Sequence, residues 1–396
     1  MKGKVKKFMA LITLKPKQVA ELTNDALKNT LGQETTLLTE DLEGVADIGT
    51  SLANANAYKN FIENLMVTTS KYIFRYRAYS AKAPNVLRDN YEFGQLIQKI
   101  RTKLPKTSEN QSWNIQANAS YDDNVYTPNE VEVKLFMLQI TFEVRKSITN
   151  DQIKNAFTSA TELGNFVSMQ FGYVQNRLEL DLENLTYMTI NNYMGELIKL
   201  NTGANAGKRV IPLLTKYKAE DPNANQNLTA DKALFDKGFL IYASAKIKDY
   251  MNLMQRYNVR FNAEEFETFT PKDLQHVCLY SQFVDNMASY AESSTFHDEF
   301  IKLPEGFKVD YWQGLGNDTV ADRTSIKINV ASDGTVVSKS YIIGFIFDHD
   351  ALGINHNEPS VETHYVKSAQ FTNYWYKEKL GMFNDLSENG LIFTLD

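Results

Sequence analysis

A single cysteine, Cys278, stands in 396 residues, which rules out intramolecular disulfides and every multi-cysteine metal site. No apolar run approaches the roughly 20 residues needed to cross a bilayer; the longest, such as YIIGFIF at 341–347, fall far short, so no membrane contact is expected. Excess positive charge is missing too. A net charge of −6 argues against a surface that grips nucleic acid or anionic lipid as a whole, so any such contact must be local. The dinucleotide glycine fingerprint, the nucleophile elbow and the calcium loop are also absent.

What is present is a folding composition. With 43% hydrophobic and 23% charged residues, most of the chain can order itself. Two or three cores are expected, because single cores stop growing at about 250–300 residues. The N-terminus, MKGKVKKFMALITLKPKQ, sets Lys2, Lys4, Lys6 and Lys7 before an apolar run from Phe8 to Leu14. It imitates a secretory signal, but the run is short and Lys15, Pro16 and Lys17 stand where a small-residue cleavage site belongs. A basic arm of six lysines, with no acid before Glu21, fits better.

Residues 1–50 alternate short helical pieces with polar breaks such as GQETT and GVADIG, and lack a core of their own. They read as an arm lying on another surface. Tyr58, Phe61, Ile62, Leu65 and Met66 fall at helical spacing and mark a short docking helix. From Lys71 the period becomes two, with Tyr72, Phe74, Tyr76 and Ala78 alternating with charge, the pattern of a half-buried strand. A second strand runs from Val131 to about Arg145. Its apolar residues sit at odd positions (Val131, Val133, Leu135, Met137), then at even ones (Leu138, Ile140, Phe142, Val144), a slip that predicts a bulge near Met137. The roughly 50 residues between the strands exceed the loop length that compact domains favour. They carry Lys82, Arg88, Lys99, Arg101, Lys103 and Lys106, a basic projection from an acidic body.

The stretch from Ala160 to Leu200 contains no proline, and Leu163, Val167, Phe171, Val174, Leu178, Leu182 and Leu185 recur every three or four residues. One helix is predicted, with residues 163–199 spanning roughly 55 Å, and Gly164, Gly172 and Gly195 as places for a kink. Loop-like text to about Lys237 then gives way to a helix beginning after Thr229, a strand at 274–281 and a helix-like QFVDNMASYAES, suggesting a second α+β domain. Asp333-Gly334 signals a tight hairpin. The end, through HYVKSAQFTNYWYKEKL to GLIFTL, is rich in aromatic residues and strands.

The reactive candidates are weak. GANAGKR (203–209) has three residues between its glycines and Arg209 after the lysine, where a phosphate loop needs four and a Ser or Thr. Asp348, His349 and Asp350 could hold a divalent metal for a hydrolase, but on a strand end the aspartates share one side and His349 the other. His276 and Cys278 share a strand face, and a buried free cysteine is the commoner meaning. His297, His356 and His364 lack ligand spacing. No catalytic residue, cofactor or metal is assigned.

The order of parts resembles the major capsid protein of tailed bacteriophages, the Hong Kong 97 phage fold, and within it the shell proteins of small short-tailed phages of Gram-positive hosts. The likeness rests on VADIGTSLANANAYKNFIENLM leading into a strand, on NDQIKNAFTSATELGNFVSMQFGYVQNRLELDLENLTYMTINNYM, and on YIIGFIFDHDALGI through NYWYKEKLGMF and GLIFTL. It implies an α+β fold with an N-terminal arm (1–60), the start of the peripheral domain and an extended β loop (61–150), a spine helix (151–200), an axial domain (201–345) and C-terminal peripheral strands (346–396). It implies self-assembly into hexamers and pentamers of an icosahedral or prolate head enclosing double-stranded DNA, with a scaffolding protein during assembly and a portal at one vertex. The location would be the virion, and the host cytoplasm during assembly. Arg88, Lys99, Arg101, Lys103 and Lys106 become subunit-interface candidates meeting acidic surface next door, and Lys2, Lys4, Lys6 and Lys7 candidates for genome or scaffold contact. An encapsulin-type compartment shell is the nearest alternative.

Overall fold

The computed structural model describes residues 16–32, 37–39, 43–54, 57, 60–61, 63–65, 97–105, 107, 112, 115–119, 128, 131–136, 139–293, 306–313, 323–330, 333–356 and 360–396. Helices α1 (Pro16–Leu31) and α2 (Val45–Asn54) precede strands β1 (Ile97–Thr102), β2 (Val131–Phe136) and β3 (Gln139–Thr149), then α3 (Asn150–Ala156) and α4 (Ala160–Lys199). Next come β4 (Val210–Pro212), α5 (Leu213–Glu220), α6 (Ala230–Ala233), α7 (Lys237–Met254), β5 (Gln275–Tyr280), α8 (Ser281–Ser293) and β6 (Phe307–Val309). The chain closes with β7 (Ile326–Asn329), β8 (Val336–Lys339), β9 (Ile342–Asp348), β10 (Leu352–His356), β11 (Ser360–Val366), β12 (Phe371–Asn384) and β13 (Gly390–Thr394).

The 40-residue α4 runs unbroken. Ser159 starts it by accepting a hydrogen bond from the Glu162 amide at 3.2 Å, and a Thr149/Gln152 capping box starts α3 just before it. Leu163, Val167, Val174, Leu178, Leu182 and Leu185 are buried, which is the predicted stripe. The first turns of α4 pack into a cluster with α1 and α2, where Leu22, Leu27, Ile48 and Leu52 meet Ile153, Phe157 and Val167. The described part of the arm, α1 and α2, therefore lies on its own chain. The later turns, from Leu182 to Leu197, join Cys278, Trp312, Phe345, Phe347 and Ile392 in another core.

That core is one side of a five-stranded sheet, β4-β13-β9-β5-β6, in which β4–β13 and β5–β6 are parallel and the other pairs antiparallel. On the other side Ile343, Ile346, Leu391 and Phe393 pack with Leu240, Ile247 and Phe283 of α7 and α8. Every residue of β9 is buried, which accounts for the unalternating run YIIGFIF: a strand covered on both faces needs apolar side chains on both. A second sheet centres on β12, with β3 along one edge and β10 and β11 along the other.

Several expectations change. Across the parity slip the chain changes partner: among the described residues β2 pairs with β1, whereas β3 pairs with β12. Positions 137–138 themselves, the strand expected at 71–78 and most of the docking helix lie outside the described residues, though Phe61 and Leu65 are buried. The helix expected after Thr229 divides into α6 and α7, because Asp236 caps a new start by accepting from the Phe239 amide at 2.8 Å. The expected boundary at 345/346 falls inside β9, and β13 returns to the five-stranded sheet instead of staying with β10–β12. The Asp333-Gly334 hairpin forms between β7 and β8, with Gly334 at φ 73.

α4 is not broken at any of its glycines, and Gly195 has a packing reason: a Cβ there would collide with Ile328 of β7. Gly390 plays the same part at the start of β13, where an added Cβ would sit 2.6 Å from Tyr193 Cε1 and 3.0 Å from Leu197 Cδ1. Gly390→Ala is expected to force β13 off α4 and lower unfolding stability by about 1–3 kcal/mol, measured by urea titration.

Candidate assembly surface

Among the described residues β1 and β2 form a two-stranded ribbon of their own. Lys99 lies opposite Lys134, Ile100 opposite Val133, Arg101 opposite Glu132 and Thr102 opposite Val131. Opposed residues share a face and successive residues alternate. One face thus carries the charges (Lys99, Arg101, Glu132, Lys134) and the other is mainly aliphatic (Ile100, Val131, Val133, Leu135), with Gln98 and Thr102 at the same register.

The charged face turns toward the chain's own body. Like charges directly across a ribbon repel, and Asp385 resolves the Lys99/Lys134 pair by taking both. Its Oδ2 accepts from Lys99 Nζ at 2.5 Å and its Oδ1 from Lys134 Nζ at 2.9 Å. Glu388 Oε1 accepts from Lys99 at 2.6 Å and also pairs with Arg101, whose Nη1 donates to Ser387 Oγ at 3.1 Å. The Asp385 and Glu388 side chains are 0% and 4% exposed. Burial alone would raise the Asp385 carboxyl; Lys99, Ser387 and Lys134 override it and hold the group at about 2. Burial pulls Lys99 below its ordinary value, while for Lys134 hydrogen bonds to Glu264 and Asp385 outweigh burial and raise it.

Two loops form this clamp. In residues 385–389, Asp385 Oδ1 accepts from the amide and hydroxyl of Ser387 at 3.1 and 2.7 Å, and Tyr193 of α4 donates to the Glu388 carbonyl at 2.8 Å. In residues 262–266, the Asn262 amide closes the turn onto Phe266 with bonds of 2.6 and 2.8 Å. Glu264 there pairs with Lys134, and the Arg101 guanidinium lies 5.2 Å from the Phe266 ring centre.

The aliphatic face points away. Ile100, Val131, Val133 and Leu135 are 62%, 56%, 51% and 57% exposed, a contiguous strip of the kind that marks contact surfaces. The alternation at Val131, Val133 and Leu135 marks a strand but does not say which face is covered. The basic residues sort accordingly. Lys99 and Arg101 meet buried acids of their own chain rather than a free outer surface, Lys103 lines a gap with Glu132, Glu264 and Glu265, and Arg88 and Lys106 lie outside the described residues, as do Lys2, Lys4, Lys6 and Lys7. The clamp acids Asp385 and Glu388 were missed; their signal was NDLSENG, an acidic loop between two apolar strands.

The reactive candidates resolve differently. Asp348 and Asp350 do share a side, approaching Glu388, while His349 turns to His276, their Nδ1 and Nε2 atoms 2.9 Å apart. Glu388 is engaged by Lys99 and Arg101. Cys278 is fully buried, and burial pushes its thiol well up, away from a nucleophile's range. In GANAGKR, Lys208 bonds Asn205 at 2.8 Å and Arg209 is buried. His364 is exposed on β11, the His356 side chain is not described and His297 lies outside the described residues.

A long strut joining two sheets, with a clamped ribbon presenting apolar surface outward, is the architecture of a structural subunit. The protein belongs to the Phi29-like phage major capsid protein family, whose sequence profile matches residues 22–394. It is therefore a structural capsid protein, a component of the virion. No curated protein matches it. Among solved structures, the capsid of Staphylococcus phage Andhra is similar at 9% identity, covering 81% of this chain and 84% of that one, with a TM-score of 0.45. The capsid of cyanophage P-SCSP1u is similar at 12% identity over 78% and 86%, with a TM-score of 0.43.

The folded value of Asp385 lies below the ordinary carboxylate value of about 3.9, so its contribution is complete above about pH 5 and is lost as pH falls toward 2. Asp385→Asn, which leaves two half-buried lysines short of an anion, is expected to cost about 2–4 kcal/mol at pH 7. In urea unfolding the gap to wild type should shrink steadily from pH 5 to pH 2.

Proposed function

We propose that the aliphatic face of the β1–β2 ribbon is the surface by which one capsid subunit grips the next. The observation that supports this is the polarity of the ribbon: its charges are held by buried acids of its own chain, and its apolar side is left outward. An outward apolar strip on a rigidly held ribbon lowers the entropy lost on contact. Lys99 and Arg101 serve this interface as anchors that set the ribbon's angle, while Arg88, Lys103 and Lys106 belong to its polar rim. The partner is a second copy of the chain, in a protein whose family builds shells by self-association.

On this reading the chain has the Hong Kong 97 fold, with α4 as the spine, β3 and β10–β12 as the peripheral sheet and the α5–α8 lobe with its five-stranded sheet as the axial domain. Hexamers and pentamers close an icosahedral or prolate head around double-stranded DNA, with a scaffolding protein in the host cytoplasm and a portal at one vertex. The basic arm, including Lys2, Lys4, Lys6 and Lys7, contacts genome or scaffold on the inner face. The family match favours this over a cargo-holding compartment.

Val133→Glu and Leu135→Glu sit on exposed positions, so each should leave monomer stability within about 0.5 kcal/mol. Each is expected to raise the protein concentration at which shells appear by roughly tenfold or more, a loss near 1.4 kcal/mol per contact, read by sedimentation and negative-stain microscopy. Normal shells at the wild-type threshold would refute the assignment. Removing residues 2–15 should leave the fold intact but reduce genome retention or scaffold-dependent assembly; unchanged yields of filled heads would exclude the arm's role.

A further inference from the structure

Arg209 is 1% exposed, and among the described residues its Nη1 and Nη2 have no hydrogen-bond partner. Only Nε is used, donating to the Asn262 carbonyl at 2.6 Å. A buried guanidinium with two idle nitrogens is an expensive arrangement, and its one bond is to the first residue of the 262–266 loop that holds the ribbon. Glu265 in that loop is exposed, at φ 55, in the left-handed region that a residue with a Cβ disfavours. It is also the carboxylate whose charge is felt most at Arg209. One loop therefore carries a strained backbone and an outward-turned acid, and its first residue is already bonded to a cation whose other two nitrogens are idle.

We propose that the 262–266 loop is a two-position latch for the ribbon. In the clamped position, the one described above, Glu264 holds Lys134, Phe266 lies under Arg101, and Arg209 goes unpaired. In the released position the Glu265 carboxylate turns inward onto the Arg209 guanidinium, its backbone relaxes to negative φ, and Glu264 and Phe266 leave the ribbon. The ribbon is then held by Asp385 and Glu388 alone and can change its angle to the body. Strain and an unpaired charge stored on one side of an equilibrium, against an ion pair and a ring contact on the other, are what make an element bistable. If the ribbon is the intersubunit contact proposed above, the latch sets when it is offered to a neighbour. The latch itself is a property of the single chain.

Hydrogen exchange by mass spectrometry on the unassembled full-length chain tests it. Arg209→Met removes the reward for release and the cost of clamping together, and Glu265→Gly removes the carboxylate and suits φ 55. Both are expected to slow exchange of ribbon amides in 97–102 and 131–136 at least threefold, leaving β9 and β13 unchanged. Glu265→Gly, on an exposed loop, provides the result should Arg209→Met fail to fold. Ribbon exchange that is unchanged or faster in a folded Glu265→Gly variant would overturn the latch. Because no shell is formed in this measurement, it fails or succeeds independently of the ribbon's role in assembly.

Discussion

The structure turns on one strand that cannot touch water. β9 is buried at all seven positions, so both of its faces must be covered, and two different parts of the chain cover them. The later turns of α4 take one face and the α5–α8 lobe takes the other. A strand buried in this way makes the spine and the lobe a single rigid piece, since separating them would expose Phe345 and Phe347 on one side or Ile343 and Ile346 on the other. The sheet is finished by β13, from the last residues of the chain, set between β4 and β9. Its central pairings join segments far apart in sequence, which is the topology of slow, late-closing folding.

The ribbon obeys the opposite rule. Its charged residues face inward and its aliphatic residues outward, and burial energy alone would never choose that orientation. The buried acids choose it: Asp385 and Glu388, with no solvent of their own, attract Lys99, Arg101 and Lys134. Buried ion pairs return little net stability once desolvation is subtracted, but they fix geometry because a misplaced charge is costly. The clamp therefore acts mainly as an orienting device. Tyr193 carries that orientation to α4 through the Glu388 carbonyl, so ribbon, clamp and strut form one mechanical path.

The parts most legible in the sequence were those set by local periodicity. The α4 stripe, the β5 strand and the Asp333-Gly334 hairpin need only near neighbours to declare themselves, and each sits where its spacing put it. What stayed hidden needed partners distant in sequence. Val131, Val133 and Leu135 alternate like any half-buried strand, and only the acids more than 250 residues later decide which face is inside. Likewise the slip at Met137 has the same one-dimensional signature whether it is a bulge or a change of sheet. Gly195 reads in the sequence as a place for a kink, and only Ile328, distant in sequence, shows what stands against it.

On the assembly reading proposed above, the magnitude of the outward strip explains why such a subunit works only in number. Each of its four aliphatic side chains has about half its surface left to bury, worth roughly 1 kcal/mol apiece, or about 4 kcal/mol for the strip. Association of two bodies costs an estimated 4–15 kcal/mol, so a ribbon contact alone leaves no stable pair. A second and third contact around the same subunit are added without that cost being repeated in full, and only closure makes the total favourable. Contacts this weak can be undone when a subunit docks wrongly. A clamp that keeps the ribbon at one angle then decides which weak contacts are repeated, and repetition at a fixed angle is what turns them into a closed surface.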